Sequence, residues 1–270
     1  MKKLLFLFLS IALNAETVLA NDQPTPRDQT HCDSFIKYGL PKDNAVNAIT
    51  ICRTAYEVRF DTAAKIPIWV LYTLTPTRTV GCLERSNSFS ADRSLNQESR
   101  SNLSDYAASG YDAGHIANHA DMNWDETVEK ESFILSNIAP QTPELNRGAW
   151  RTLEAAVRSW AYNSGHDIVI YAGSIYDVND AKTIGPGKVV VPYAFYKIVI
   201  DTDKNQSLAF IFENSKKLGK DLSYYQVTVA DVEHATGIQF NVPDSKTDKH
   251  DIWTINTILL NTAKKKLCNR

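Results

Sequence analysis

The stretch from Ser109 to Arg158 constrains this chain more than any other, because it sets a short extended segment ending on a histidine ahead of a helix-forming run. Its first part is Tyr111-Asp112-Ala113-Gly114-His115, where glycine beside an aromatic residue favours extended backbone over helix. Its second part, Asn146 to Glu154, opens a run rich in Ala, Leu, Glu and Arg, residues that lose little on entering a helix. Asn146, Trp150, Glu154 and Arg158 recur at steps of four, and each step drifts only about 40° around a regular helix. On that geometry Asn146, Glu154 and Arg158 share one side over some three turns. An amide, a carboxylate and a guanidinium would then face one cleft. The same spacing also suits an amphipathic helix with a solvated polar face.

A chain of 270 residues can bury a full core without needing several domains. From Ile49 the pattern is that of strands: ITICRTAYEVRF, a turn around Asp61–Lys65, then IPIWVLYTLT, read together as a hairpin. Residues 83–107 are polar and Ser-rich, a long surface loop of a length that is commonly functional. Strand-like runs follow at 167–172, 188–200 and 206–212, and Val227–Asp231 leads into a short helix ending near Gly237. The expected fold is α+β, a central antiparallel β-sheet flanked by helices, spanning 49–270 behind a lead-in segment at 21–48.

Lys2 and Lys3 precede an apolar run, Leu4 to Leu13, and Val18-Leu19-Ala20 offers a small-residue cleavage site. That is the layout of a secretory signal peptide over residues 1–20. The run is too short for a permanent membrane helix. A mature protein starting near Asn21 and working in a periplasm or outside the cell is therefore expected. Cys32, Cys52, Cys82 and Cys268 make an even number, as suits an oxidising compartment. Four cysteines allow three pairings, and the sequence does not choose among them. Cys32 with Cys52 and Cys82 with Cys268 would pin both ends of the chain to the domain. The absence of Cys-x-x-Cys argues against a structural zinc site of that kind.

Histidine is the side chain whose ordinary pKa best suits a general base near neutrality. A hard cation such as Mg²⁺ keeps most of its water and needs only one or two oxygen ligands from protein. His115 on a strand and Asn146 on a helix would thus suffice for attack by water on a phosphodiester, with no cluster of carboxylates. The formal net charge of −2 gives no basic footprint of the kind that strong, non-catalytic DNA binding leaves.

Asp112-x-Gly114-His115, Ala120-Asp121-Met122, Ser136-Asn137-Ile138, Pro140-Gln141 and Asn146-Arg147-Gly148-x-Trp150-x-x-Leu153-Glu154 together resemble the DNA/RNA non-specific endonucleases of the ββα-metal (His-Me finger) superfamily. The resemblance covers about residues 49 to 240. It implies His115 as general base and Asn146 as the direct protein ligand of a hydrated Mg²⁺, with Mn²⁺ as a substitute. It also implies Glu154 as the acid that positions water on the ion, Arg158 as the steadier of phosphate charge, and Asn137 as a polar support. The implied substrates are DNA and RNA, cleaved to 5′-phosphate and 3′-hydroxyl ends.

One departure matters. The family's usual pattern is Asp-Arg-Gly-His, and Ala113 stands at the arginine's place. Losing an arginine that stabilises the transition state costs on the order of 10²-fold in rate. This keeps open an alternative, a nucleic-acid-binding member of the fold with weakened catalysis. Asn118-His119 also replaces a usual proline and small residue; His119 is read as structural or surface-lying rather than a phosphate contact. His115 and His119 do not make a zinc-protease motif, which needs Glu where Ile116 stands. Asp125 reads as a cap ahead of Glu126-Thr127. Tyr193, Phe195 and Tyr196 read as strand packing rather than base stacking, and Lys264-Lys265-Lys266 as a solvated tail.

Overall fold

The computed structural model describes residues 32, 36–219, 221–243 and 252–268. The expected leader and its cleavage point near Ala20 lie outside them.

The first three strands, β1 (Ala48–Cys52), β2 (Glu57–Asp61) and β3 (Ile66–Leu74), form an antiparallel meander. This corrects the expected hairpin, because ITICRTAYEVRF is two strands and not one. The chain reverses at Arg53–Ala55, closed by a bond from the Arg53 amide to the Tyr56 carbonyl. The turn is anchored from outside the sheet. Arg53 forms a buried ion pair with Asp92, and the Thr54 amide donates to the Glu131 carboxylate at 2.7 Å. A buried arginine needs such a partner, and an uninterrupted strand would not have supplied it.

The loop at 83–107 holds one short helix, α1 (Leu103–Tyr106). It lies on the surface only in part, since Asp92, Leu95, Ser101 and Asp105 are buried. Next come β4 (Asp112–His115), α2 (His119–Met122), α3 (Glu126–Ser132) and β5 (Ile138–Gln141). Asp125 caps α3 as expected, accepting from the amides of Thr127 and Val128. A long helix, α4 (Arg151–Ser164), ends on Gly165, whose φ of 74° is left-handed. The remaining elements are β6 (Ile168–Ile175), β7 (Thr183–Ile184), β8 (Val189–Val190), β9 (Ala194–Asp201), β10 (Gln206–Glu213), β11 (Gln226–Val227), α5 (Val229–Thr236) and α6 (Thr257–Cys268). The run at 188–200 is likewise two strands, because Pro192 cannot donate to a ladder.

Seven strands pair antiparallel in the order β1-β2-β3-β6-β9-β10-β11. One face carries Val70, Tyr72, Ile170, Phe195 and Val199 against Leu153, Val157 and Trp160 of α4. The other carries Leu71, Tyr171, Ile198 and Ile200 against Val229 and Val232 of α5. With both faces covered, β6 and β9 are buried at every position. This is why they read as continuous apolar runs and not as alternation. Two disulfides, Cys32–Cys52 and Cys82–Cys268, fasten the flanking segments.

Candidate active site

β4 and β5 form a separate two-stranded ribbon, with Asp112 opposite Gln141 and His115 opposite Ile138. Gly114 is required by close approach, because a Cβ there would collide with the Gln141 side chain. Side chains alternate along a strand, so Ala113 shares the face of His115 and Asp112 lies on the other.

The His115 ring packs edge-on to Phe133, with centroids 4.8 Å apart, and 5.4 Å from Phe89. Its Nε2 is buried and has no hydrogen-bond partner. Burial, then the charge of Arg85 and the nearby His119, hold its pKa well below the usual histidine value. The imidazole is therefore neutral near pH 7, the state able to accept a proton.

Asn146 stands on a single wide turn, Leu145–Trp150, that precedes α4. At Gly148 the backbone leaves helical geometry, with φ −110° and ψ −108°. The regular helix expected from Asn146 onward thus begins only at Arg151. A residue without a Cβ tolerates this break, and spacing arithmetic cannot see it. The Asn146 Nδ2 donates to Asp112 at 2.9 Å, and Arg147 donates to the same carboxylate from Nε at 2.8 Å and from an Nη at 2.6 Å. Burial alone would raise the Asp112 carboxyl, but the bonds from Arg147 and Asn146 hold it below its usual range. The indole Nε1 of Trp150 donates to the His115 carbonyl at 3.3 Å. Four hydrogen bonds, from Asn146, Arg147 and Trp150, therefore tie the β4 histidine segment to this turn.

Glu154 is buried one turn into α4. Burial lifts its carboxyl to about 7, while Lys197 and Arg158 pull the other way and Asp121 adds to the rise. Arg158 bonds Asp121 at 2.9 Å, and Asp121 accepts from the Tyr72 hydroxyl at 2.7 Å. The Lys197 ammonium, fully buried in β9, lies 4.4 Å from the centre of the Trp150 ring. These groups form a polar layer between α4 and the sheet.

Residues 33–247 match the family described as DNA/RNA non-specific endonuclease. The chain belongs to that family. Endonuclease activity on nucleic acid follows from membership. Among relatives of this endonuclease, mitochondrial endonuclease G of Bos taurus is 29% identical over 218 residues, covering 76% of this chain and 71% of its own. The nuclease of Serratia marcescens is 28% identical over 209 residues, 74% of this chain and 77% of its own. A solved EndoG/EndoGI complex, presented as the mechanism of EndoG inhibition, superposes with a TM-score of 0.69 at 28% identity. It covers 78% of this chain and 91% of that one.

Within the endonuclease, Asn137 is fully buried and both ends of its amide are committed to backbone. It accepts from the Ala117 amide at 2.8 Å and donates to the Ala117 and Ser132 carbonyls at 2.9 and 2.8 Å. It holds the loop that follows His115 and exposes no atom to a substrate. Arg158, expected to meet phosphate, is ion-paired with the buried Asp121 carboxylate. His119 is not on the surface; it lies 5.3 Å from the Phe133 ring and 3.2 Å from the Glu129 carboxylate. The sequence reading missed Arg85. Its guanidinium stacks 4.8 Å from the Phe133 ring and is close enough to His115, His119 and Glu154 to act on their charge. The available signal was a basic residue inside a Ser-rich loop of functional length.

A Mg²⁺ ion fits the donor set. Asn146 offers a hard amide oxygen, its nitrogen end being held by Asp112. No group of three His, Cys, Asp or Glu able to hold a metal occurs among the described residues. An ion here would keep most of its water, as Mg²⁺ prefers.

Proposed function

We propose that the chain is an exported, Mg²⁺-dependent, sugar-non-specific endonuclease that hydrolyses DNA and RNA to 5′-phosphate and 3′-hydroxyl ends. The observation that carries this reading is a neutral His115 on a strand hydrogen-bonded to the turn that presents Asn146.

In this reading the His115 imidazole takes a proton from a water molecule as its oxygen attacks phosphorus. The bond from phosphorus to the 3′ oxygen breaks, and that oxygen gains a proton from solvent. Asn146 Oδ1 would hold Mg²⁺, which when bound would supply positive charge to offset the charge of the phosphate under attack. Asp112 orients the Asn146 amide, as a hydrogen-bonded partner behind a ligand commonly does. Glu154 orients water beside the cation, and Arg158 and Lys197 hold the Glu154 carboxylate in place. Arg85 supplies, from the 83–107 loop, charge that an arginine at position 113 would have carried. Asn137 keeps His115 in register through the Ala117 backbone. Two disulfides and the leader-like residues 1–20 support work in a periplasm or outside the cell. Residues 21–48 act as a lead-in and 49–270 as the nuclease domain.

Purified protein incubated with plasmid DNA and with RNA should degrade both in Mg²⁺ or Mn²⁺ and neither in EDTA. His115→Ala and Asn146→Ala should each abolish cleavage while leaving the circular dichroism spectrum intact. Binding without cleavage in Mg²⁺ would instead favour the catalytically weakened reading that Ala113 raises.

A further inference from the structure

The family match ends at residue 247, and helix α6 lies beyond it. This segment is nonetheless built onto the catalytic elements. The Trp160 indole on α4 donates to the Trp253 carbonyl at 3.0 Å, with the two rings 5.3 Å apart, and Asn163 donates to the Asn256 carbonyl at 2.8 Å. The Cys82–Cys268 disulfide fastens the last turn of α6 three residues before Arg85.

Between α6 and the Cys82–Glu84 segment lies a pocket of about 380 Å³, lined also by Asn261, Lys264 and Lys265. That volume is within the range of small-ligand sites, roughly 300–1,000 Å³. Its charged groups are two lysines against one acid, Glu84. Lys265 is exposed, whereas Lys264 is half-buried against the Arg158–Asp121 pair. Desolvation and the Arg158 charge lower its pKa, and Asp121 works against them. Lys264 is also close enough to lower the pKa of His119, which stands beside His115. Asp121 already has Arg158 as its counter-ion. A second cation here, partly desolvated and within electrostatic reach of Asp121 and His119, calls for an anion.

We propose that the groove between α6 and the Cys82–Glu84 segment is a subsite for a backbone phosphate of the nucleic acid outside the scissile group, contacted by Lys264 and Lys265. This rests on the nuclease reading above and adds to it. The subsite lengthens the footprint on the substrate without touching the bond that is cut. It matters for long strands and not for minimal ones.

The test uses the full chain with both disulfides formed. In a His115→Ala background, Lys264→Ala/Lys265→Ala is compared with the parent for binding a 20-base-pair duplex across a salt series. Each lost phosphate contact lowers the slope of log affinity against log salt by about 0.9. The double variant should lose between one and two such steps, and Lys264→Arg/Lys265→Arg should restore them. In the active protein the alanine pair should raise KM for long duplex several-fold, with a much smaller change in kcat. A thymidine nitrophenyl phosphodiester, too short to reach the groove, should show no matching rise in KM. An unchanged salt slope, or an equal loss on the short diester, would overturn the proposal. If the parent chain cleaves nothing, the nuclease reading fails on its own, while the salt slope still reports on the subsite.

Discussion

The Asp112 carboxylate accepts from Asn146 Nδ2 at 2.9 Å and is itself gripped by Arg147 from two nitrogens. This fixes which end of the Asn146 amide faces the cleft. Removing a hydrogen-bonded partner of this kind typically costs 10- to 100-fold in metal affinity or activity. Asp112→Ala should therefore shift the Mg²⁺ activation curve to higher concentration by about that factor, and high Mg²⁺ should recover part of the rate. Asn146→Ala should not be recoverable. Equal Mg²⁺ requirements in Asp112→Ala and the parent would remove Asp112 from the site.

His115 gives a pH dependence of known sign. Its folded-state pKa lies well below the usual 6.5, from burial and then from Arg85 and His119. Activity should persist as pH falls through 6.5, with the acid limb of kcat/KM appearing below it. The unfolded chain takes up the proton first, near 6.5, so it holds more protons than the native state in the window beneath. Stability is then fully present above about pH 6.5 and declines as pH falls below it. Glu154, raised to about 7, acts oppositely over the same window, so the His115 share is read by difference: urea midpoints measured from pH 7.5 to 5 should fall more steeply in the parent than in His115→Ala. An acid limb above 6.5 that survives Glu154→Gln would contradict the buried neutral imidazole.

Much of the site was legible because its parts are close in sequence and strongly typed. Asp112 to His115 is extended and ends on the histidine, Asp125 caps its helix, and both cysteine pairs that would pin the chain ends do so. What stayed hidden depends on contacts between distant residues or on one glycine. Helical spacing placed Asn146 on the same regular face as Glu154 and Arg158, but Gly148 breaks that helix. Arg158 looked free because Asp121, thirty-seven positions away, carries no sign of being its partner. Arg53 reads as one more strand position until Asp92 is found across from it. Lys197 sits in an apolar run that gives no hint of the acids beneath Trp150.

Arg85 and Ala113 make a linked prediction. Position 113 is on the His115 face of β4, and Arg85 approaches the same histidine from the long loop. Arg85→Ala should cost on the order of 10²-fold in kcat/KM, a few kcal/mol of transition-state stabilisation. Ala113→Arg should raise the rate of the parent and recover part of the loss in the Arg85→Ala background. Should the Ala113→Arg, Arg85→Ala double variant be as slow as Arg85→Ala alone, the two positions do not share a task.

The disulfides differ in the length of chain they close, twenty residues for Cys32–Cys52 and 186 for Cys82–Cys268. Loop-closure entropy assigns about 3 kcal/mol to the first and about 5 kcal/mol to the second, because the cost to the unfolded chain grows with the logarithm of loop length. Cys82→Ser/Cys268→Ser should lower the urea midpoint more than Cys32→Ser/Cys52→Ser does. The long-loop bond also ties the end of α6 to the chain just before Arg85, so its removal should reduce activity even at temperatures where the protein stays folded. The short-loop bond touches no residue of α4 and reaches the 83–107 loop only through Arg53 and its Asp92 partner, so its loss should leave kcat near the parent value. A short-loop variant that proves the less stable of the two would show that native contacts around Arg53, and not chain entropy, decide the order.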